Sequence, residues 1–288
     1  MPKQPPESDR IAQLSPPMDE PIFVRRDDFI VFNQFGVKLV LDRDLPKDDY
    51  FAWLDDVTVR IGDLVPGAMI AEKEYARAQP RLNTGVYYDT PDRDLLRIGA
   101  VLRTTCNRIT HAFCAFKEPA SASGVRRDHR HVFDGDEKLA IQTDPTSAEA
   151  QAAVERLLRR DDIEHPGVHL RDRYGIDPST LTPSIRVAQL RHPFFVWLDG
   201  RDALRCVMDH ADVDDLRLSV DERVVRWFKE LELPVYPRIE AEVAADPRTV
   251  ELIKVLAAEA QAGLAGELTV DNKYQRAATE LGLRPASG

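Results

Sequence analysis

The sequence lacks several features that would assign it to a class at once. It has three cysteines in 288 residues, an odd number that cannot pair completely within the chain, and its net charge is −10. An acidic protein is a poor general ligand for duplex nucleic acid or for an anionic membrane surface. No apolar stretch approaches the roughly 20 residues that a membrane-spanning helix needs. The sequence therefore predicts no membrane partner, no duplex nucleic acid partner and a reducing, cytoplasmic location.

The glycine-rich motifs of ordinary nucleotide enzymes are also missing. The sequence contains no GxxxxGK[ST] run and no GxGxxG run, which disfavours a P-loop or a Rossmann site. Cys106, His111 and Cys114 lie near one another in sequence, but they lack a C-x-x-C pair and an evident fourth ligand. Their spacing disfavours a zinc site at these residues.

Composition divides the chain into one domain and two tails. Residues 1–27 are rich in proline and charge, a composition that buries too little apolar area to offset its ordering entropy. We expect residues 1–27 to form a mobile tail, residues 28–280 a single domain, and residues 281–288 a C-terminal tail.

Short apolar segments separated by Gly, Pro, Asn and Asp dominate the chain. The predicted strands are Ile30–Asp42, Gly85–Tyr88, Val101–Thr105, Ala112–Lys117, Val125–Phe133, Ile185–Leu190, Phe194–Leu198, Leu204–Asp209 and Arg238–Val243. Helical spacing of apolar residues predicts helices over Tyr50–Ile61, over Ser147–Arg160 and after Asp246. Many short strands with turn signals and a few helices predict an α+β protein built on an antiparallel barrel or sandwich.

One predicted strand is charged on both faces. In Val125–Phe133, one face carries Arg126, Asp128 and Arg130, and the other carries Arg127, His129 and His131. A strand with one face on an apolar core does not show this pattern. An exposed edge strand, where charge prevents aggregation, and a barrel strand facing a hydrated, charged lumen both remain open. The two histidines are candidates for a general acid, for pH-dependent phosphate ligands or for plain surface residues.

Several segments in a consistent order resemble the CYTH superfamily, the triphosphate tunnel metalloenzymes. Val86–Asp92 and Leu95–Arg103 are similar to its "YxDTP…L…G..LR" stretch, Ala115–Lys117 to its "LK" residues, and Gly124–Arg127 to its basic strand. Four later segments resemble VTC-type polyphosphate polymerase domains: Leu181–Arg191, Leu204–Asp209, Ile239–Val243 and Asn272–Ala277. Together these segments cover roughly residues 30 to 278.

The resemblance implies a closed, antiparallel, eight-stranded β-barrel with flanking helices, whose tunnel binds a triphosphate. Activities in the superfamily range from triphosphate hydrolysis to adenylate cyclisation and polyphosphate synthesis. Arg offers forked donors and Lys a compact charge to phosphate oxygens. The predicted phosphate ligands are Lys38, Arg103, Lys117, Arg127, Arg191, Arg205 and Lys273.

A divalent cation, Mg²⁺ or Mn²⁺, is the implied cofactor. Glu240 and Glu242 lie two residues apart on a predicted strand, which directs both carboxylates to one face. Asp209 shares a strand face with Arg205. We predict Glu240, Glu242 and Asp209 as metal ligands, and Glu240, Glu242 and Lys38 as catalytic residues.

The first strand departs from the family pattern. Most members carry ExExK there, whereas the corresponding residues are Gln34, Gly36 and Lys38. The lysine is kept and both carboxylates are lost. A second acidic pair, Glu72 and Glu74, precedes the next strand and is out of register with the motif.

The sequence thus predicts a triphosphate- or polyphosphate-binding protein that hydrolyses its ligand with a divalent metal. The loss of the first-strand acids favours an alternative, a non-catalytic polyphosphate- or nucleotide-binding regulatory module. A VTC-like polyphosphate polymerase is a third reading, drawn from the C-terminal segments. Whether the chain forms a homodimer, and whether the segment 147–178 covers the tunnel mouth, stay open at this point.

Overall fold

The computed structural model describes residues 23–26, 28–73, 77–121, 124–162 and 165–283. Most of the predicted N-terminal tail, Glu74 and residues 284–288 lie outside this part of the chain. Phe23–Arg26 form a strand, so the sheet begins earlier than the predicted domain boundary at residue 28.

Within the described residues, twelve strands form one antiparallel sheet. They are β1 (Phe23–Arg26), β2 (Phe29–Gln34), β3 (Gly36–Leu41), β4 (Ala68–Glu72), β5 (Arg81–Asp89), β6 (Val101–Asn107), β7 (His111–Lys117), β8 (Arg126–Val132), β9 (Thr182–Leu198), β10 (Arg201–Asp215), β11 (Arg226–Pro234) and β12 (Glu267–Thr269). The predicted segments Ile185–Leu190 and Phe194–Leu198 join into the single long strand β9.

The sheet is antiparallel, as predicted, but the prediction of a closed eight-stranded barrel is wrong in strand number and in closure. The order along the sheet is β1-β2-β8-β7-β6-β5-β9-β10-β11-β3-β12, with β4 added to β9, and its hydrogen-bonded ladder does not close. Only Phe35 separates β2, which pairs with β8, from β3, which pairs with β11. Since consecutive Cα atoms lie about 3.8 Å apart, the sheet must curl until its two halves meet at Phe35.

Gly36 makes this junction possible. Its φ angle is +148°, and a Cβ built on it would lie 2.4 Å from the carbonyl oxygen of Leu233. The carbonyl of the preceding Phe35 accepts a hydrogen bond from Val235 N–H at 2.8 Å. A glutamate cannot occupy this position without displacing β11, which accounts for one departure from the ExExK pattern.

Eight α-helices flank the sheet in the described residues. They are α1 (Lys47–Leu64), α2 (Asp94–Ile98), α3 (Gly135–Thr143), α4 (Ala148–Leu158), α5 (Pro166–Tyr174), α6 (Ala241–Ala245), α7 (Pro247–Leu264) and α8 (Lys273–Glu280). The predicted helices correspond to α1, α4 and α7. None of these helices is long and apolar enough to cross a membrane.

Two helical layers cover the outside of the sheet. Helices α1 and α7 pack over β3, β9 and β11, in a core that includes Leu39, Leu54, Phe194, Leu231 and Leu256. Helices α3, α4 and α5 cover β6 and β7 through a second core. Apolar side chains on the outer face of the sheet therefore pack against the helices.

We predict that Gly36→Ala destabilises the protein by about 3 kcal/mol or more, because it combines a conformation open only to glycine with a clash against backbone. The matched control is Gly200→Ala, at φ +79° with open space around the new methyl, where a loss of about 1 kcal/mol is expected. Denaturant unfolding measures both values. Equal losses would contradict this account of the junction.

Candidate functional site

A cavity of about 960 Å³ lies on the concave side of the sheet. Ten basic side chains and one carboxylate, Glu232, line it in the described residues. The basic residues are Lys38, Arg81, Arg103, Arg108, Lys117, Arg126, Arg130, Arg191, Arg205 and Lys273. The wall of the cavity is thus strongly positive, although the whole chain carries a net charge of −10.

Strand alternation places most of these charges. Successive side chains on a strand point to opposite faces, so Arg126 and Arg130 of β8 share the face that lines the cavity. On β6, Arg103 faces inward and its Nη1 donates to the Tyr87 hydroxyl at 2.9 Å.

Six of the seven predicted phosphate ligands line the cavity: Lys38, Arg103, Lys117, Arg191, Arg205 and Lys273. The seventh, Arg127, lies on the face of β8 opposite to Arg126 and Arg130 and is not part of the wall. A shift of one residue changes the face of a strand. Because β8 is charged on both faces, its sequence did not indicate which face points inward.

Three carboxylates meet at one side of the cavity. Asp209 of β10 lies opposite Glu230 of β11 in the ladder, and Glu232 follows two residues later on the same face. One oxygen from each lies within 4.8 Å of the others. Asp209 and Glu230 are almost fully buried, and we name the three residues the acidic triad.

Cations already neutralise the acidic triad. Lys273 Nζ contacts Asp209 and lies 2.7 Å from Glu230 and 3.6 Å from Glu232. Arg191 donates to Asp209 from Nε at 2.8 Å and from Nη2 at 3.2 Å. Lys38 Nζ lies 3.0 Å from Glu232. Three acids and three bases therefore balance in this part of the wall.

The two glutamates of the triad differ in their pKa values. Burial raises the pKa of Glu230, and the nearby Lys273 only partly offsets this effect. Burial acts in the same direction on Glu232, but Lys273 and Lys38 hold the pKa of Glu232 well below its ordinary value. Glu232 is thus firmly ionised and faces the cavity, while Glu230 is the more readily protonated of the two.

A second group of buried charges, which we name the Asp128 anchor, lies across the β2–β3 junction and consists of Asp128, Lys117 and Arg130. Asp128 of β8 is fully buried and contacts Arg130 Nη2 at 2.8 Å and Lys117 Nζ at 3.2 Å. Lys117 Nζ also donates to Gln34 Oε1 at 2.7 Å. Burial lowers the pKa of Lys117 to about 7, although Asp128 favours its charged form. Lys117 therefore titrates near neutral pH in the ligand-free cavity.

Glu240 and Glu242 do not lie on a strand, so the predicted strand Arg238–Val243 is wrong. Glu240 is the N-cap residue of α6 and Glu242 lies inside that helix. Both side chains are largely exposed and pair with Arg201. Proline at 237 and the helix-favouring run Ala241–Ala245 prevail over the apparent alternation. The structure places Asp209 in the acidic triad, behind the cavity wall, but neither of these glutamates.

The predicted histidines point away from the cavity. His129 and His131 of β8 lie on the outer face, under α5. Burial lowers the pKa of His131 to about 4. These residues are therefore separated by the strand itself from any ligand in the cavity.

Sequence reasoning missed Glu230 and Glu232, because the strand over Arg226–Pro234 was not predicted. A signal was present in the alternation Glu230-Leu231-Glu232-Leu233, which places Leu231 and Leu233 on the apolar face. The two acids fall on the opposite face, two residues apart.

The acidic triad has the donor set for a hard divalent cation, since Mg²⁺ and Mn²⁺ prefer carboxylate oxygens. Its three ligand oxygens are close enough to share one ion, and Glu232 opens onto the cavity. Lys273 now neutralises the same oxygens. The residues present thus fit a divalent cation that competes with, or displaces, this ammonium group.

We predict that Lys273→Met lowers the free energy of unfolding by about 3–5 kcal/mol, because Asp209 and Glu230 are left buried without their shared cation. A matched control is Arg60→Met, which removes an exposed pair with Glu259 and should change stability little. Denaturant titration of both variants is the test. A Lys273→Met variant as stable as the control would show that the buried ion pairs do not hold the triad in place.

No protein-family model and no curated protein sequence matches the chain. Its fold is similar to the crystal structure of a candidate adenylate cyclase from Bacillus halodurans, with 13% identity, a TM-score of 0.51, and coverage of 85% of this chain and 97% of that one. A candidate adenylyl cyclase from Hippeastrum, described as having a dominant triphosphatase activity, is 14% identical with a TM-score of 0.47. It covers 88% of this chain and 96% of its own. The first likeness shows that this chain shares its fold with that protein.

Proposed function

We propose that the cavity binds a triphosphate or polyphosphate and that the protein hydrolyses its terminal phosphoanhydride bond with a divalent cation. The observation that carries this proposal is the lining itself, in which ten basic side chains face one carboxylate. A triphosphate carries roughly four negative charges at neutral pH. It matches such a wall in charge and in the number of oxygen acceptors.

The surrounding acids do not cancel the positive wall. Asp128, Asp209 and Glu230 are buried behind it and Glu232 lies in it, so cations remain in clear excess. Charges that converge in a partly enclosed space focus the potential and favour a polyanion. Arg103, Arg126 and Arg205 approach from three different strands and would contact successive phosphate groups.

Asp209, Glu230 and Glu232 are the residues that would hold the cation. When bound there, Mg²⁺ or Mn²⁺ would neutralise phosphate oxygens that the basic residues leave uncompensated. Asp209 is thus proposed as a metal ligand, as the sequence predicted. We propose Glu230 and Glu232 for the metal-binding role that was predicted for Glu240 and Glu242. They have the same spacing and lie beside Asp209.

The residues of the chain then act mainly by position and charge. A water molecule attacks the terminal phosphorus, a P–O bond forms, and the bridging P–O bond breaks to release orthophosphate and the shortened chain. Lys and Arg side chains hold the terminal phosphate in line and stabilise the charge that develops on the bridging oxygen. Lys117 is suited to this role because it lines the cavity and a bound polyanion favours its charged ammonium form.

One observation favours the alternative, a non-catalytic polyphosphate-binding module. The first strand supplies no carboxylate, since residue 34 is Gln and residue 36 is Gly, and all three acids of the triad are paired with cations. A protein with this wall and no bound metal would still bind polyphosphate. Measuring turnover and binding in the same samples distinguishes the two functions.

Phosphate release is measured from tripolyphosphate, ATP, thiamine triphosphate and long-chain polyphosphate with Mg²⁺, Mn²⁺ or EDTA. We expect turnover that requires metal and falls at least about 100-fold in Glu232→Gln, since electrostatic groups at a reacting phosphate contribute effects of this order. The contrasting variant is Glu240→Gln/Glu242→Gln. It should keep its activity if the acidic triad holds the metal and lose it if the exposed glutamates do.

Binding is followed in the same samples by the thermal shift with each ligand. Stabilisation by polyphosphate without turnover, lost in Arg103→Ala, would refute the hydrolase and support the binding module. No stabilisation and no turnover with any ligand would refute both functions.

We predict that the affinity of the cavity for tripolyphosphate depends on the protonation of Lys117. Its pKa is about 7 in the empty cavity, and a bound polyanion must raise it, so the complex takes up a proton above pH 7. Affinity for tripolyphosphate should therefore weaken as the pH rises from 7 to 9, by up to about tenfold per pH unit. Isothermal titration calorimetry without metal measures this slope.

The control is Lys117→Arg, whose side chain stays charged throughout this range. Ionisation of the ligand affects both proteins equally, so the ratio of their affinities isolates Lys117. Parallel pH profiles for the two proteins would contradict the assignment.

A further inference from the structure

A separate cluster lies on the outer side of β8, away from the cavity. It consists of His131 on β8, His165 at the N-cap of α5, and Asp28 immediately before β2. Backbone pairing fixes Asp28 against β8, because Val132 N–H donates to the Asp28 carbonyl at 2.6 Å. Three distant parts of the sequence thus bring two imidazoles and a carboxylate together.

The spacing of the ligand atoms is that of a metal site rather than of a hydrogen-bond network. Asp28 Oδ2 lies 3.4 Å from His131 Nδ1 and 3.5 Å from His165 Nε2. These separations are too long for good hydrogen bonds. They agree with the edge of a tetrahedron around zinc, which is roughly 3.3 Å for metal–ligand bonds of about 2.0–2.1 Å. The third edge, between the two histidines, is within 4.8 Å.

The histidines of this cluster have unused polar atoms. His165 is 2% exposed and His131 is 7% exposed. Neither ring nitrogen of His165, nor Nδ1 of His131, has a hydrogen-bond partner among the described residues. Since buried polar groups nearly always have partners, these nitrogens need an explanation, and a metal ion supplies one.

A neighbouring cluster gives an internal contrast. Glu118, His129 and His169 form a similar group one turn further along α5, but there His129 Nε2 and Glu118 Oε1 are 2.8 Å apart, a normal hydrogen bond. That cluster is held together by its own hydrogen bond. The Asp28 cluster also combines one carboxylate with two histidines but lacks a hydrogen bond of this length between them.

Groups around Asp28 are consistent with a bound cation. Arg160 Nη1 donates to Asp28 Oδ2 at 2.6 Å, and its Nη2 pairs with Asp162 at 2.9 Å. Asp162 balances the charge of Arg160, so Asp28 keeps its negative charge for a ligand. Hydrogen bonds that orient a metal-binding carboxylate in this way are usual in metal sites.

We propose that Asp28, His131 and His165 bind one Zn²⁺ ion, with a fourth position open to water. This site is distinct from the carboxylate-only triad of the cavity and does not depend on the proposed activity. The ion joins α5 to β8 on the face opposite Arg126 and Arg130. It therefore stabilises the strand that carries part of the cavity wall.

The test uses the full chain, freed of any histidine tag and treated with EDTA, then dialysed against Zn²⁺ in excess Mg²⁺ to occupy sites made only of carboxylates. Metal analysis should find one zinc ion per chain in the wild type, and Zn²⁺ should raise its Tm. His165→Gln and Asp28→Asn should each weaken zinc binding more than about tenfold, since even second-sphere changes cost 10–100-fold. Both should also abolish the Tm shift.

His210→Gln is the matched control, because His210 lies on the sheet surface beside Asp212 and should leave zinc binding unchanged. Asp28 is partly exposed, so Asp28→Asn separates loss of the site from loss of the fold, which far-UV circular dichroism monitors. The proposal is overturned if the wild type retains no zinc. It is also overturned if only His169→Gln removes the ion, because the neighbouring cluster would then be the site.

Discussion

Repulsion among the basic side chains of the cavity wall, offset by buried acids, is the constraint on which the rest of this structure depends. Ten basic side chains line one cavity, and two unit charges about 4 Å apart in partly buried surroundings repel by roughly 4 kcal/mol. Such a wall is stable only if acids lie close behind it. Asp209 and Asp128 are both fully buried and provide that support, each in contact with at least two cations.

The acidic triad and the Asp128 anchor meet at the junction of β2 and β3. Their contacts account for the residues that stand there in place of ExExK. Gln34 accepts from Lys117 of the Asp128 anchor, and Lys38 neutralises Glu232 of the acidic triad. Gly36 lies between them, so close to the Leu233 carbonyl that no side chain fits at this position. Each residue that stands in place of ExExK therefore has a structural role, and a glutamate at position 36 would clash with the Leu233 carbonyl.

The sequence predicted the cavity better than it predicted the acids. Lys38, Lys117 and Arg205 were identified through motif resemblance, and all three line the wall. Arg127 was assigned to the wrong face, because a strand that is polar on both sides gives no signal of its register. Glu240 and Glu242 were chosen for their spacing and for the resemblance of Ile239–Val243 to a VTC-type segment. The two acids with that spacing that lie beside Asp209 belong to β11, a strand that was not predicted.

The change of strand pairing at Phe35 could not be predicted from the sequence for a related reason. The strand signals over Ile30–Asp42 are continuous, and nothing in their alternation shows that pairing changes from β8 to β11 at Phe35. That change depends on contacts with residues nearly two hundred positions later in the chain. Local patterns identify which segments are strands, but long-range contacts decide where one pairing ends and another begins.

Strand β8 shows how the two charged faces of one segment acquire separate roles. The inner face carries Arg126 and Arg130 into the cavity, while the outer face is neither an exposed edge nor open to solvent. Helix α5, part of the 147–178 segment whose role was open, covers it and buries His129 and His131. Burying imidazoles is costly unless their nitrogens are bound, so the same helix that shields the strand creates a requirement for partners. The polar side chains on the outer face of β8 are thus the ones that α5 packs against where it supports this part of the cavity wall.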